Sequence, residues 1–299
     1  MKRPDIAVVV TAYNQEMYIG QCIEGILAQE TTAKVTIYVH DDYSSDGTIS
    51  VIENFASKYH GKIVPVLSNF NKLSNRKSPI LDMVRQIEEE FIAFCNGDDY
   101  WIDPNKLEHQ LELLVKEPDA GMVHTAFKVL NEASQFSTPQ SEAPHLRVAR
   151  SRLKNAHDFV IGCQAKESSV MIRRSKIDFE FLKGADHLRA SDWVLYLSIS
   201  LSGRILFLNE ETLVHRYTKK GVWNAAEFEF REQMKDEVRW YAASNCPDDV
   251  LKQEFRKRVT QDFILSNIKK NSFLRLLLKI TAPARHPVRS SKRLARLFK

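Results

Sequence analysis

Four short, β-branched apolar runs alternate with helical stripes through the first hundred residues, and this alternation constrains the fold more than any other feature of the chain. Residues 6–10, 35–39, 63–67 and 91–95 are too short for buried helices and rich in residues that suit a pleated strand. Between these runs the apolar period changes. Ile19, Cys22, Ile23, Ile26 and Leu27 recur at i, i+3, i+4, i+7 and i+8, as on one face of a helix. Ile49, Ile52, Phe55, Ala56 and Tyr59 give a second stripe, and Ile80, Leu81, Val84 and Ile87 a third. Strands and helices in this order predict βαβ units and a mainly parallel sheet with helices on both faces. A helix around Leu107, Leu111 and Leu114 and a strand near 122–129 continue the pattern. Beyond about residue 130 it loosens. Residues 131–166 are polar and irregular, 167–172 read as a strand, 193–201 as an apolar helix opened by Ser191-Asp192, 204–208 as a strand, and 225–268 as largely helical.

In sheets of this kind ligands bind outside the carboxyl ends of the strands. Three of the first four strands run there into polar segments, at Tyr13-Asn14, Asp41-Asp42 and Asp98-Asp99. Two bare adjacent carboxylates would repel each other and any anionic substrate. A divalent ion that takes carboxylate and phosphate oxygens removes that conflict, so Asp98-Asp99 suits a metal–diphosphate site. The plainer reading of each pair is a solvated turn with an Asp capping the next helix.

Charge divides the chain unevenly. The sequence carries a net charge of +5, yet no Asp or Glu follows Asp262 while ten Lys and Arg do. The rest of the chain is mildly acidic, which speaks against a nucleic-acid-binding body and for an anionic surface met by one end. In the tail, Leu274, Leu276, Leu277, Leu278 and Ile280 form an apolar run, and Arg289, Lys292, Arg293 and Arg296 line one helical face further on. Such a segment is expected to lie on an anionic membrane surface. Cys22, Cys95, Cys163 and Cys246 are scattered, without the spacing of a metal or disulfide framework. The N-terminal segment has no long apolar stretch, so no signal peptide is expected, and no run reaches the length of a membrane-spanning helix. The expected location is cytoplasmic, peripheral on the inner face of the cell membrane.

Taken together, VVVTAYNQ, DDYSSDGT, FIAFCNGDDYWIDPNKL and ASDWVLYLSISLSGRILFLNEETLVHR resemble the family-2 nucleotide-sugar glycosyltransferases, especially those of bacterial surface-polysaccharide synthesis. The resemblance spans about residues 4–224. It implies a GT-A fold: an α/β domain with a mainly parallel, Rossmann-like sheet over residues 1–224, divided into a nucleotide-binding half at 1–130 and an acceptor half at 131–224. Residues 225–299 would then be a helical C-terminal region ending in the basic tail. The resemblance implies inverting transfer of a sugar from a nucleoside diphosphate, with UDP favoured, to a saccharide or lipid-linked acceptor, with Mn²⁺ or Mg²⁺ as cofactor and no nucleic-acid partner.

Roles follow from the same resemblance. Thr11, Ala12, Tyr13 and Asn14 would lie along base and ribose, and Asp42 would accept from the base N–H with support from Asp41. Arg76 would touch base or phosphate, Asp98 ribose or the water shell of the metal, and Asp99 would ligate the metal. Asp192 would be the general base; an Asp at a helix start is also a good N-cap. Trp101 and Trp223 are candidate sugar platforms, whereas Trp193 reads as core. One departure concerns the family's Tyr-Arg-x-His pattern, whose His reaches the metal. Thr218 stands at that His position, and His215 stands three residues earlier. In an extended strand those two positions would face opposite sides, so His215 is not expected to replace the ligand.

Two other enzyme readings fit less well. A nucleotidyltransferase would want a glycine-rich basic loop after the first strand, and a processive synthase would want membrane helices and a differently spaced Gln-x-x-Arg-Trp. A catalytically silent scaffold on the same fold is the alternative from another class; turnover of a sugar nucleotide separates it from an enzyme.

Overall fold

The structure, a computed structural model, describes residues 4–131, 147–149, 154–218 and 228–270. Its first half alternates as expected: β1 (Asp5–Ala12), α1 (Ile19–Leu27), β2 (Lys34–Asp41), α2 (Thr48–Lys58), β3 (Ile63–Leu67), α3 (Pro79–Gln86), β4 (Phe91–Asn96), β5 (Tyr100–Trp101) and α4 (Lys106–Lys116). Then come β6 (Ala120–Asn131), β7 (Arg147–Ala149), β8 (Val170–Arg173), α5 (Ser191–Ser200), β9 (Arg204–Tyr217) and two long helices, α6 (Phe228–Asn245) and α7 (Asp249–Lys270).

One sheet runs β3-β2-β1-β4-β8-β6-β9-β5, with β7 beside β6. The first four strands are mutually parallel. β8 is antiparallel to both β4 and β6, which restores the original direction in β6 and in its parallel neighbour β9. Six of the nine strands therefore run the same way. Ile6–Val10 of β1 are all fully buried, as a central strand covered on both faces must be. Ile6, Val8 and Val10 join α1, α2 and α4 in one core, while Ala7 and Val9 join α3, α5 and the last two helices in the other.

Two expectations are corrected in the second half. Residues 167–169 form a 3₁₀ turn before β8, because Ser169 donates both its amide (2.8 Å) and its hydroxyl (2.6 Å) to the carbonyl of Lys166. That local pairing competes with the strand ladder. The strand expected at 204–208 runs on to Tyr217. Thr125 pairs with Leu208 but Ala126 with Glu211, so a bulge takes up Asn209 and Glu210, where the apolar pattern had stopped. Arg239 of α6 is buried and holds the C-terminal helices in place. It donates to Asp236 at 3.1 Å, to Asp262 at 3.0 Å and to the carbonyl of Ile161 at 2.8 Å. Among the described residues no helix is long and apolar enough to cross a membrane.

Candidate active site

The strand order reverses at β1, between β2 and β4, and a cavity of about 1030 Å³ opens beyond the carboxyl ends of these strands. Thr11, Ala12, Tyr13 and Asn14 from the end of β1, Asp42 from β2, Asp98 from β4 and Asp192 from α5 all line it.

The loops after β1 and β2 are fastened to each other. The amide of Asn14 donates to Ser44 Oγ (2.9 Å), and Asn14 Oδ1 accepts from the amide of Ser45 (2.8 Å). Asp41 turns inward and accepts from both the amide and the hydroxyl of Ser44, at 2.8 and 2.5 Å. Asp42 lines the cavity while accepting from the amides of Lys72 (2.6 Å) and Leu73 (3.0 Å), which fixes the loop after β3 as the cavity wall. Asn14, Tyr43 and Arg76 adopt positive φ values of 51°, 69° and 55°. Such backbone is uncommon for residues with a side chain, and these three all lie on loops at the sheet's carboxyl rim.

Beyond β4 the chain must approach α1 closely. A Cβ on Gly97 would lie 2.9 Å from Ile19 Cδ1 and closer still to Gln15 Oε1, so a larger residue there would have to displace those two side-chain ends. Asp98 then lines the cavity, and Asp99 is buried behind it. Asp99 Oδ2 accepts from Ser168 Oγ at 2.5 Å; Oδ1 accepts from the amide of Arg216 at 3.0 Å and stands 2.8 Å from His215 Nδ1. Burial opposes its charge, but Lys166, His215 and Ser168 together hold Asp99 below the usual carboxylate range. An ionised Asp99 can only accept, so His215 Nδ1 carries the proton and Nε2 is left as the ring's ligand atom. Burial first and the Asp99 charge second push Asp98 up to about 6.

His215 and Thr218 both line this cavity. The expectation that they would face opposite sides fails because β9 ends at Tyr217, so strand alternation does not reach Thr218. Asp98 and His215 both line the cavity, and a carboxylate oxygen and an imidazole nitrogen are donors of the kinds Mn²⁺ or Mg²⁺ can take. A separate Asp103–His109–Glu210 group, with His109 Nδ1 2.7 Å from Glu210, lies outside the cavity lining.

The opposite wall comes from residues that the sequence reading passed over. Lys166 and Glu167, at the 3₁₀ turn before β8, line the cavity with Asp192. Burial first, then Asp192, pushes Glu167 up to about 8; burial also raises Asp192. Asp192 lies in the first turn of α5, whose N-cap is Ala190, and its carboxylate accepts from the amides of Trp193 and of its own residue at that helix start. The local signal for this wall was the charged pair Lys166-Glu167 set among small and uncharged residues.

Two expected contributors sit elsewhere. Arg76 is not in the cavity lining; its guanidinium reaches α6 and pairs with Glu237 at 2.8 Å. Trp101 is buried with Nε1 donating to the carbonyl of Ser168 (3.0 Å) and the Lys106 ammonium 4.1 Å from its ring centroid, so it is core rather than platform. Trp193 is buried as expected, although it also contributes to the cavity wall. Trp223 and the basic tail lie outside the described residues.

An uncharacterised protein of Mycobacterium tuberculosis is 28% identical over 223 residues, which are 74% of this chain and 61% of that protein. The chain thus spans about three-fifths of the length of that relative. The dTDP-rhamnosyl transferase RfbG of Shigella flexneri is 26% identical over 109 residues, 36% of this chain and 37% of its own. The fold matches Staphylococcus aureus TarS, solved in complex with UDP-GlcNAc, with a TM-score of 0.59 at 16% identity over 85% of this chain and 72% of that one. The family model described as glycosyltransferase like family 2 matches residues 4–243, and the chain, with its GT-A fold, belongs to that glycosyltransferase family.

Proposed function

We propose that this chain transfers a glycosyl group, with inversion, from a nucleoside diphosphate to a hydroxyl of a saccharide or lipid-linked acceptor in surface-polysaccharide synthesis. The observation that carries this reading is the convergence of Asp42, Asp98 and Asp192, from three separate elements, on one cavity at the switch point of the sheet. Their surroundings suit three different tasks. Asp42 is held rigidly by two backbone amides beside an apolar wall of Leu73, Pro79 and Ile80, which suits a nucleobase. The base is read as uracil from the family resemblance. Asp98 and His215 would hold Mn²⁺ or Mg²⁺, which when bound neutralises the diphosphate leaving group. Asp99 keeps the His215 ring in position and its Nδ1 protonated.

Asp192 is the proposed base. It takes the proton of the acceptor hydroxyl as that oxygen bonds to the anomeric carbon. The bond from that carbon to the diphosphate oxygen breaks at the same time, and its electron pair leaves with the diphosphate. Burial that raises Asp192 strengthens it as a proton acceptor. Glu167, held protonated near neutral pH, adds no competing negative charge to this wall. The basic amphipathic tail would bring the domain to an anionic membrane surface, where a lipid-linked acceptor resides.

Screening UDP-, dTDP- and GDP-sugars for release of the nucleoside diphosphate, with Mn²⁺ present, tests the reading. Turnover of one donor class well above the others is expected. Binding of a nucleotide without turnover of any sugar would favour a silent scaffold instead. For the tail, deleting residues 283–299 should weaken pelleting with anionic vesicles, most clearly at low salt.

A further inference from the structure

We infer that Lys166 is a diphosphate-binding residue of the donor cavity, which gives this site a cationic contact of its own in addition to any metal. The inference deepens the donor-site reading and rests on it.

Three cationic side chains line the cavity, and they differ in what they are paired with. Arg189 faces Glu237 of α6 at 3.4 Å and lies over the Phe230 ring; Lys235 pairs with Glu232 one turn away at 2.6 Å. Both charges are already answered by the C-terminal helices. Lys166 is answered only by the site's own carboxylates. Its nearest acceptor is Asp99 Oδ2 at 3.8 Å, beyond hydrogen-bond distance, and among the described residues its ammonium makes no hydrogen bond. Asp99 in turn already accepts from Ser168, His215 and Arg216.

The backbone that carries this ammonium is held in place. The Lys166 carbonyl accepts from the amide and hydroxyl of Ser169, and the Ser169 carbonyl accepts from Gln110 Nε2 at 2.9 Å. Two residues after Lys166, Ser168 is pinned to Asp99 and to the amide of Asn96. The turn is therefore clamped to the end of β4, next to Asp98. The Lys166 side chain is only 23% exposed, and its ammonium keeps three donors for an acceptor in the cavity to complete. An anion entering beside Asp98 would do so. Burial works against the Lys166 charge, but the carboxylates beside it, Asp99 first and then Asp98, outweigh it, so the side chain stays cationic. Lysine serves phosphate as a point charge and needs no bidentate geometry. The phosphates of a nucleoside diphosphate match this in charge and place.

Calorimetry with UDP and with uridine, in EDTA, separates the phosphate contact from the rest of the site. Wild type should bind UDP about tenfold or more tightly than uridine without metal, the scale of one charge-assisted contact. Lys166→Met should lose most of that preference while binding uridine like the wild type, and Lys166→Arg should retain it. Retained uridine binding shows that the Met variant is folded at the site. A Lys166→Met variant with the wild-type preference overturns the inference, and so does a wild type that shows no preference for UDP in EDTA. If wild type binds neither compound even with Mn²⁺ added, the donor-site reading itself fails and this inference falls with it.

Discussion

The rims beyond β2 and β4 each carry an Asp-Asp pair, and the two pairs are wired in opposite order. After β2 the first member, Asp41, is tied inward to Ser44 and the second, Asp42, lines the cavity. After β4 the first member, Asp98, lines the cavity and the second, Asp99, is tied inward to Ser168, His215 and Arg216. Successive residues leaving a strand point in different directions, so one of each pair turns to the cavity and its neighbour turns inward. The supports also differ in kind. Asp41 fixes a loop backbone, whereas Asp99 fixes a side chain that itself faces the ligand. The β2 rim is thus built for shape, and the β4 rim for charge.

Substitution should expose that difference, most strongly at β4. Asp98→Ala is expected to abolish Mn²⁺-dependent UDP binding and to lower sugar-nucleotide turnover by at least 100-fold. Asp99→Asn should act through His215. It is expected to weaken Mn²⁺ binding by about 10–100-fold, as loss of an orienting carboxylate does, while leaving UDP binding in EDTA within a few-fold of wild type. Metal titration in the presence of UDP would check both. An Asp99 variant as defective as Asp98→Ala would mean that Asp99 itself ligates the ion, as the family resemblance implied.

The smallest effect expected is one on stability. Glu167 has a folded pKa of about 8, well above the ~4.3 of an unperturbed Glu. Below the unfolded value both states hold the proton and nothing is lost. As pH rises from there to about 8 the unfolded chain releases its proton while the folded one keeps it, so stability falls. Glu167→Gln should remove this penalty. Its Tm should match wild type near pH 4 and exceed it at pH 8, with roughly 2–4 °C for each kcal/mol recovered. Equal Tm values at both pH values would mean that Glu167 ionises freely in the folded protein.

How much of this was legible depended on whether a signal was local. Strands β1 to β4 could be placed because apolar period and strand length are properties of short windows, and a parallel sheet then sends all their carboxyl ends to one rim. For the β2 pair the family resemblance already put Asp42 forward with Asp41 behind it; for the β4 pair it put Asp99 on the metal, and the burial of Asp99 behind Asp98 was not legible. That burial is decided by Ser168 and His215, which lie 69 and 116 residues away in the chain. Lys166 and Glu167 were passed over for the same reason: the turn that presents them is held by Asp99, Asn96 and Gln110 from other elements. Arg76 misled because a basic residue on a cavity loop looks available, and only the packing of α6 reveals Glu237 as its partner. His215 was discounted by a rule about strand alternation that stops holding one residue before Thr218.

The claim on which the rest depends is that this cavity performs glycosyl transfer with Asp192 as base, and Asp192→Asn tests it most directly. Release of the nucleoside diphosphate from the preferred sugar nucleotide, with water or acceptor, should be read alongside calorimetric binding of that nucleotide in the same variant. Loss of a general base lowers only the chemical step, by about 10²–10⁴-fold, and leaves donor affinity within a few-fold. Release within a few-fold of wild type, at unchanged affinity, would contradict the account and leave Asp192 as a structural residue of the first turn of α5.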